Sequence, residues 1–317
     1  MSASLLGLPC VLTQLLFQCL DSTGKLLLAR CNQAMLQQAR STVVWQCCPL
    51  VPVRFAQIPL IASSLLRFAP ISVRLEDELP AEDLYDQFAR VPLLRGLDGS
   101  ELQEEDDQSA ERWERMLALP CMQRLTSVNL PECTDDPDRM LAAVSRLPSL
   151  STFLFQMDPP CGADGPVFAV SGLIDAPSLT DLIIEGMWLR EEEAAITIHA
   201  IAQYRQLRRL CLSFGSLTGP LLQTLLTSLN LRGLQHLWIC VSGDTAADWH
   251  AIFANLPELR SLQLEGDAEW MEGCVDSLAR CTFLRSLRLH PRRVARHFPT
   301  PPVLARLRAA LPQLHCE

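Results

Sequence analysis

The sequence predicts an α/β fold assembled from repeated units, with short parallel strands on one face and helices on the other. Three observations carry this. A six-residue apolar pattern recurs at nearly constant spacing. Helix-like segments fill the intervals. The chain, 317 residues at 49% hydrophobic, is long and apolar enough to bury a large core.

The pattern is L-x-x-L-x-L with apolar substitutes. It reads LTSVNL from Leu125, LSTFLF from Leu150, LTDLII from Leu179 and LRRLCL from Leu207. It continues as LQHLWI from Leu234, LRSLQL from Leu259 and LRSLRL from Leu284. Successive starts lie 25, 29, 28, 27, 25 and 25 residues apart. Alternate side chains of a strand face opposite sides, so the apolar positions point inward and the intervening ones outward. Between strands, Asp138 to Leu147, Glu191 to Tyr204, Leu217 to Leu229, Thr245 to Leu256 and Trp270 to Cys281 carry apolar residues at three- and four-residue spacing. That spacing predicts helices. One strand-plus-helix unit cannot bury its apolar face alone, whereas stacked units bury a continuous core.

The recurring pattern resembles the leucine-rich repeat family. The resemblance implies a solenoid with strands on a concave face and helices on a convex one. It covers Leu125 to Leu289 and extends more weakly through Arg67 to Leu75 and Val91 to Gly99. The family often places Asn or Cys shortly after the strand to tie neighbouring turns together. Those positions vary here, which predicts irregular turns. A helix from Pro301 to Leu311 is expected to cap the last repeat.

The opening segment follows a different rhythm. Leu8-Pro9, Leu12, Leu15-Leu16-Phe17 and Leu20 predict one amphipathic helix, Asp21 to Gly24 a turn, and Leu26 to Met35 a second helical stretch. The order L-P-x-x-L-x-x-x-L-F-x-x-L, followed by L-L-x-x-A-R-x-C, is similar to the F-box. That family docks onto the Skp1 adaptor of cullin-type ubiquitin ligases. The resemblance implies docking through Leu8, Pro9, Leu12, Leu16, Phe17 and Leu20. The same residues also fit a helical cap that shields the first repeat. The expected division is an F-box-like unit at 1–45, degenerate repeats with an acidic insertion at 46–120, leucine-rich repeats at 121–300 and a capping helix at 301–317.

Composition narrows the function classes. A formal net charge of -9 and a pI of about 5.2 argue against general binding to nucleic acid or anionic membranes. Thirteen cysteines, none in a C-x-x-C pair, read as buried free thiols. No run reaches the roughly 18 apolar residues of a membrane helix. No secretory signal is evident, so a cytoplasmic or nuclear location is expected. No P-loop, G-x-S-x-G or H-E-x-x-H motif is present, and the six histidines lack metal-site spacing. The expectation is a protein that is not an enzyme and needs no cofactor or metal.

The outward positions supply the candidate ligand surface. Arg208, Arg209, His236, Trp238, Arg260, Gln263, Arg285 and Arg288 cluster on the later repeats. Trp amid arginines is a residue set that anchors interfaces, and Arg suits carboxylate or phosphate geometry. The expected ligand is an acidic or phosphorylated protein segment. The alternative is that these arginines pair with local acids and that Trp238 tucks beneath its neighbours. The acidic run from Glu76 to Glu114 is expected as a solvated loop or helix projecting between repeats.

The functional expectation is a substrate-recognition adaptor of a Skp1–cullin ubiquitin ligase. The runner-up is a leucine-rich interaction scaffold with no ligase link.

Overall fold

A computed structural model describes residues 51–54, 72–77, 94–102, 109–130, 136–156, 176, 178–187, 191–214, 217–240, 247–266, 274, 277–278, 281–291 and 301–316. The F-box-like segment, with Leu8, Pro9, Leu12, Leu16, Phe17 and Leu20, lies outside the described residues. The chain divides into two compact units, Met1–Cys133 and Thr134–Glu317.

In the first unit, β1 (Val51–Arg54), β2 (Ser72–Asp77) and β3 (Gly96–Leu102) precede helix α1 (Ser109–Leu117) and β4 (Ser127–Leu130). The strands are parallel, and each pairs with the next in sequence. Leu94 and Leu97 are buried at the first and fourth pattern positions, one repeat upstream of Leu125 and Val128. Gly96 is required by the close approach of β2. A Cβ there would lie 2.3 Å from Ser72 Oγ and 2.9 Å from Ser72 Cβ.

Of the acidic run, 78–93 and 103–108 lie outside the described residues, and its described parts join the strands and helix of this unit. Glu76 and Asp77 end β2, and Ser109 to Leu117 forms α1, where Trp113, Met116 and Leu117 are buried. On the exposed side of α1, Arg115 donates to Glu111 one helical turn earlier.

The second unit alternates strands and helices more regularly. It runs α2 (Pro137–Ser145), β5 (Thr152–Gln156), β6 (Asp181–Met187), α3 (Glu191–Ile201), β7 (Arg209–Phe214), α4 (Gly219–Leu226) and β8 (His236–Cys240). It continues with α5 (Trp249–Asn255), β9 (Ser261–Gly266), β10 (Ser286–Pro291), α6 (Pro301–Ala310) and β11 (His315–Cys316). All seven strands form one open parallel sheet in sequence order. The α/β class and the repeat-like alternation match expectation. The terminal helix is followed by one more strand, because the His315 amide bonds the Arg285 carbonyl.

The pattern positions explain the core. Leu150, Leu179, Leu207, Leu234, Leu259 and Leu284 are all buried at the first position. Phe153, Leu182, Leu210, Leu237, Leu262 and Leu287 are buried at the fourth. The second position does backbone work. The Thr180 carbonyl accepts from the Arg208 and Arg209 amides at 2.7 and 3.0 Å. The Arg208, Gln235 and Arg260 carbonyls each take the corresponding two amides of the following repeat. One carbonyl therefore sets the register of each strand on its predecessor.

Helix starts follow capping rules. The Asp136 carboxylate accepts from the Arg139 amide, and Pro137 takes the first turn of α2, where its missing N–H costs nothing. Asp248 accepts from the His250 and Ala251 amides at the start of α5. The helix expected from Trp270 to Cys281 is described at Cys274, Ser277 and Leu278, which are helical, and at Cys281, which is not.

Side-chain amides tie two of the turns to the repeat before them. Asn255, 8% exposed at the end of α5, donates from Nδ2 to the Leu226 and Ser228 carbonyls, each at 2.8 Å. Its Oδ1 accepts from Arg232 Nε at 3.3 Å. One repeat earlier, Ser228 Oγ and Asn230 Nδ2 both donate to the Ala202 carbonyl at 2.9 Å. The link comes from the helix side of the repeat, not from a residue just after the strand. Among the described residues no helix is long and apolar enough to cross a membrane.

Candidate binding face

The side of the second unit's sheet opposite the buried leucines carries the outward pattern positions. Strand pairing fixes them in rows. The third position gives Asp181, Arg209, His236, Ser261 and Ser286, with His315 continuing the row. The fifth gives Ile183, Cys211, Trp238, Gln263 and Arg288. Arg208, Arg260 and Arg285 stand one residue before the third row and are exposed. The sheet thus brings all eight sequence-nominated residues onto neighbouring strands.

Their electrostatic states differ. Arg209 Nε lies 3.4 Å from Asp181 Oδ1, so its charge is met by the preceding strand. The local-acid alternative holds for this arginine. No ion pair or side-chain hydrogen bond engages Arg208, Arg260 or Arg285 among the described residues. Arg260 and Arg285 immediately precede consecutive strands, β9 and β10, whereas Gln235 intervenes between Arg208 and Arg260. The basic character of the face therefore concentrates at the Arg260–Arg285 end.

His236 is half-buried between these charges. Burial lowers its pKa first, with Arg209 and Arg260 adding to the effect and Asp181 opposing it. Its imidazole is held neutral more strongly than a free histidine's. Trp238 is partly exposed rather than projecting. Its indole Nε1 is buried without a hydrogen-bond partner, so its ring edge is tucked inward while part of the side chain remains on the face.

Beside Trp238 lies a polar contact the six-residue pattern does not reveal. Cys211 Sγ donates to Glu185 Oε1 at 3.6 Å. Burial, then the Glu185 charge, pushes the Cys211 thiol well up, so it stays protonated. Glu185, Glu265 and His290 stand seventh when counted from Leu179, Leu259 and Leu284, the first pattern positions. Continuing the period-two count one step past each hexapeptide finds that row. The first unit has its own strand-face link: Asn129 Nδ2 donates to Asp98 Oδ1 at 2.8 Å, and Ser100 donates to the same oxygen. Among the described residues no group of three or more His, Cys, Asp or Glu side chains is placed to hold a metal.

No protein-family model matches the chain, and no curated protein matches it. Among solved structures the chain is similar to a complex of Rad7 and Elc1 from yeast. The two are 16% identical, the likeness covers 96% of this chain and 86% of that one, and the TM-score is 0.49.

Proposed function

We propose that the chain is a leucine-rich-repeat interaction protein that recognises a protein segment on the open strand face of Thr134–Glu317. The observation that carries this is the in-register face itself. Trp238, Gln263 and neighbouring polar side chains lie over a leucine core, with Arg260 and Arg285 at one end engaged by no ion pair among the described residues. A rigid parallel sheet holds such side chains at fixed spacing, which lowers the ordering cost of binding. A partly buried Trp near Arg is the composition that concentrates binding energy.

The F-box-like opening motif extends the reading to a substrate receptor of a Skp1–cullin ubiquitin ligase. Leu8, Pro9, Leu12, Leu16, Phe17 and Leu20 would dock the adaptor, and the repeats would hold the target. Such a protein works by raising the target's local concentration near a ubiquitin-conjugating enzyme, with no catalytic residue of its own. The cytoplasm or nucleus is where those partners operate.

The test is capture of the full chain by a purified Skp1-type adaptor. It is run beside a folded variant carrying Pro9→Ala, Phe17→Ala and Leu20→Ala. Binding that vanishes in the variant supports the ligase reading. An intact chain that does not bind leaves an interaction scaffold and removes the ligase link.

A further inference from the structure

The eight nominated residues are not equivalent. Arg209 is engaged by Asp181. Arg208 is separated from the next arginine by the Gln235 strand. Arg260 and Arg285 are exposed, are engaged by no ion pair or side-chain hydrogen bond among the described residues, and immediately precede the adjacent strands β9 and β10. Their backbones are fixed relative to each other, because the Arg260 carbonyl accepts from the Arg285 and Ser286 amides at 2.8 and 3.1 Å. Adjacent parallel strands stand about 4.8 Å apart. Two guanidinium groups rooted at that spacing can converge on one tetrahedral anion. A single carboxylate is satisfied by one arginine fork.

We propose that Arg260 and Arg285 form a phosphate clamp, and that the ligand of this face is a phosphorylated segment of a partner protein. The choice of a protein rests on charge. The chain carries a net charge of -9, which disfavours a long polyanion such as nucleic acid that must contact much of the surface. A single dianionic side chain on a short segment needs only the clamp.

The register also sets the spacing of a second contact. Trp238 lies one strand from Arg260 and three residues further along the strand direction. Those offsets place Trp238 roughly 12 Å from the middle of the clamp, a reach of about three to four residues of extended chain. The ligand therefore carries an apolar residue three or four positions from the phosphoresidue, packing against the exposed part of the Trp238 ring. His236 lies between clamp and tryptophan, and Arg260 is close enough to it to depress its pKa. A bound dianion counteracts that depression, so ligand and proton favour each other at this ring.

This inference rests on the reading of the strand face as a binding surface but not on the ligase link. The experiment uses the full chain and an oriented peptide library with one fixed phosphoserine and degenerate flanks. Retained peptides are then measured by fluorescence anisotropy in phosphorylated and unphosphorylated form. The phosphorylated form is expected to bind at least about tenfold tighter. The Arg260→Gln/Arg285→Gln variant should lose that advantage. Arg205→Gln, the same charge change at an exposed position before β7, should keep it. Trp238→Ala should erase the apolar preference while leaving phosphate discrimination intact. Equal binding of the two peptide forms, equal loss in the Arg205 variant, or no retained phosphopeptide overturns the clamp. So does competition by a single-stranded oligonucleotide at the phosphopeptide's own concentration. Phosphopeptide binding by a chain that ignores the adaptor sustains the clamp while sinking the ligase reading.

Discussion

Asn255 offers the sharpest test of how one repeat is fastened to the next. It is nearly buried, and its single amide group holds two carbonyls of the preceding repeat, Leu226 and Ser228, at 2.8 Å each. Each such bond contributes a net of roughly 0.5–1.5 kcal/mol, and a buried carbonyl left without a donor costs about 1–3 kcal/mol. The Ser228 carbonyl retains the Leu231 amide at 3.2 Å. Leu226 is the carbonyl exposed to the full loss. Asn255→Ala is therefore expected to destabilise the second unit by about 2–4 kcal/mol. Asn255→Asp should cost at least as much, because a carboxylate would face two carbonyl oxygens. Arg232→Ala, which removes only the bond at 3.3 Å from a more exposed group, should cost less than about 1 kcal/mol. Urea unfolding followed by tryptophan fluorescence measures the three changes. Hydrogen exchange at the Ser228 and Leu231 amides locates them, which matters because repeat arrays need not unfold in one step. If Asn255→Ala costs no more than Arg232→Ala, the amide is not a fastening element and the reasoning fails.

Three further outcomes are expected. Gly96→Ala should destabilise the first unit by about 1–3 kcal/mol, since the new methyl overlaps Ser72; an unchanged urea midpoint would mean β2 yields freely. His236 should titrate below its usual value of 6.5 by NMR. Because the unfolded state then binds the proton more readily, stability at this site is intact above about pH 6.5 and declines as pH falls below it. His236→Gln should flatten that decline, and an unaltered pH profile would remove the assigned environment. Finally, burial pushes the Cys281 thiol up to about 12 and raises the Cys274 thiol well above its ordinary value, so native alkylation near pH 8 should leave both unmodified by mass spectrometry. Rapid labelling of either would contradict their burial.

The leucine ladder was legible because its signal is simple: every first and fourth pattern position from Leu150 to Leu287 is buried, and nothing else competes for those sites. The upstream strands were fainter for chemical reasons. At β3 the pattern becomes Leu94-x-x-Leu97-x-Gly99, and its fifth position is Asp98, a buried carboxylate satisfied by Ser100 and Asn129. Helix α1 was masked by composition. Its charged residues dominate the count, while Trp113 and Met116 decide its place. The Asn255 link escaped because it sits at a helix end rather than after a strand. On the binding face, periodicity put the right residues on one side. It could not foresee that Asp181 claims Arg209, since the partners are 28 residues apart in sequence and meet only through the β6–β7 register.

The shared carbonyls at the second pattern position carry a consequence for how the second unit is made. Each strand from β7 onward takes its alignment from the strand synthesised just before it, through an acceptor already in place. No pairing in this unit waits for a distant part of the chain. At about 5–20 residues per second, translation delivers a new repeat every few seconds, long after local helix and strand formation is complete. Assembly can therefore proceed in step with the ribosome. The edge awaiting its next neighbour is the growing end, and each completed strand is the template for the one that follows it.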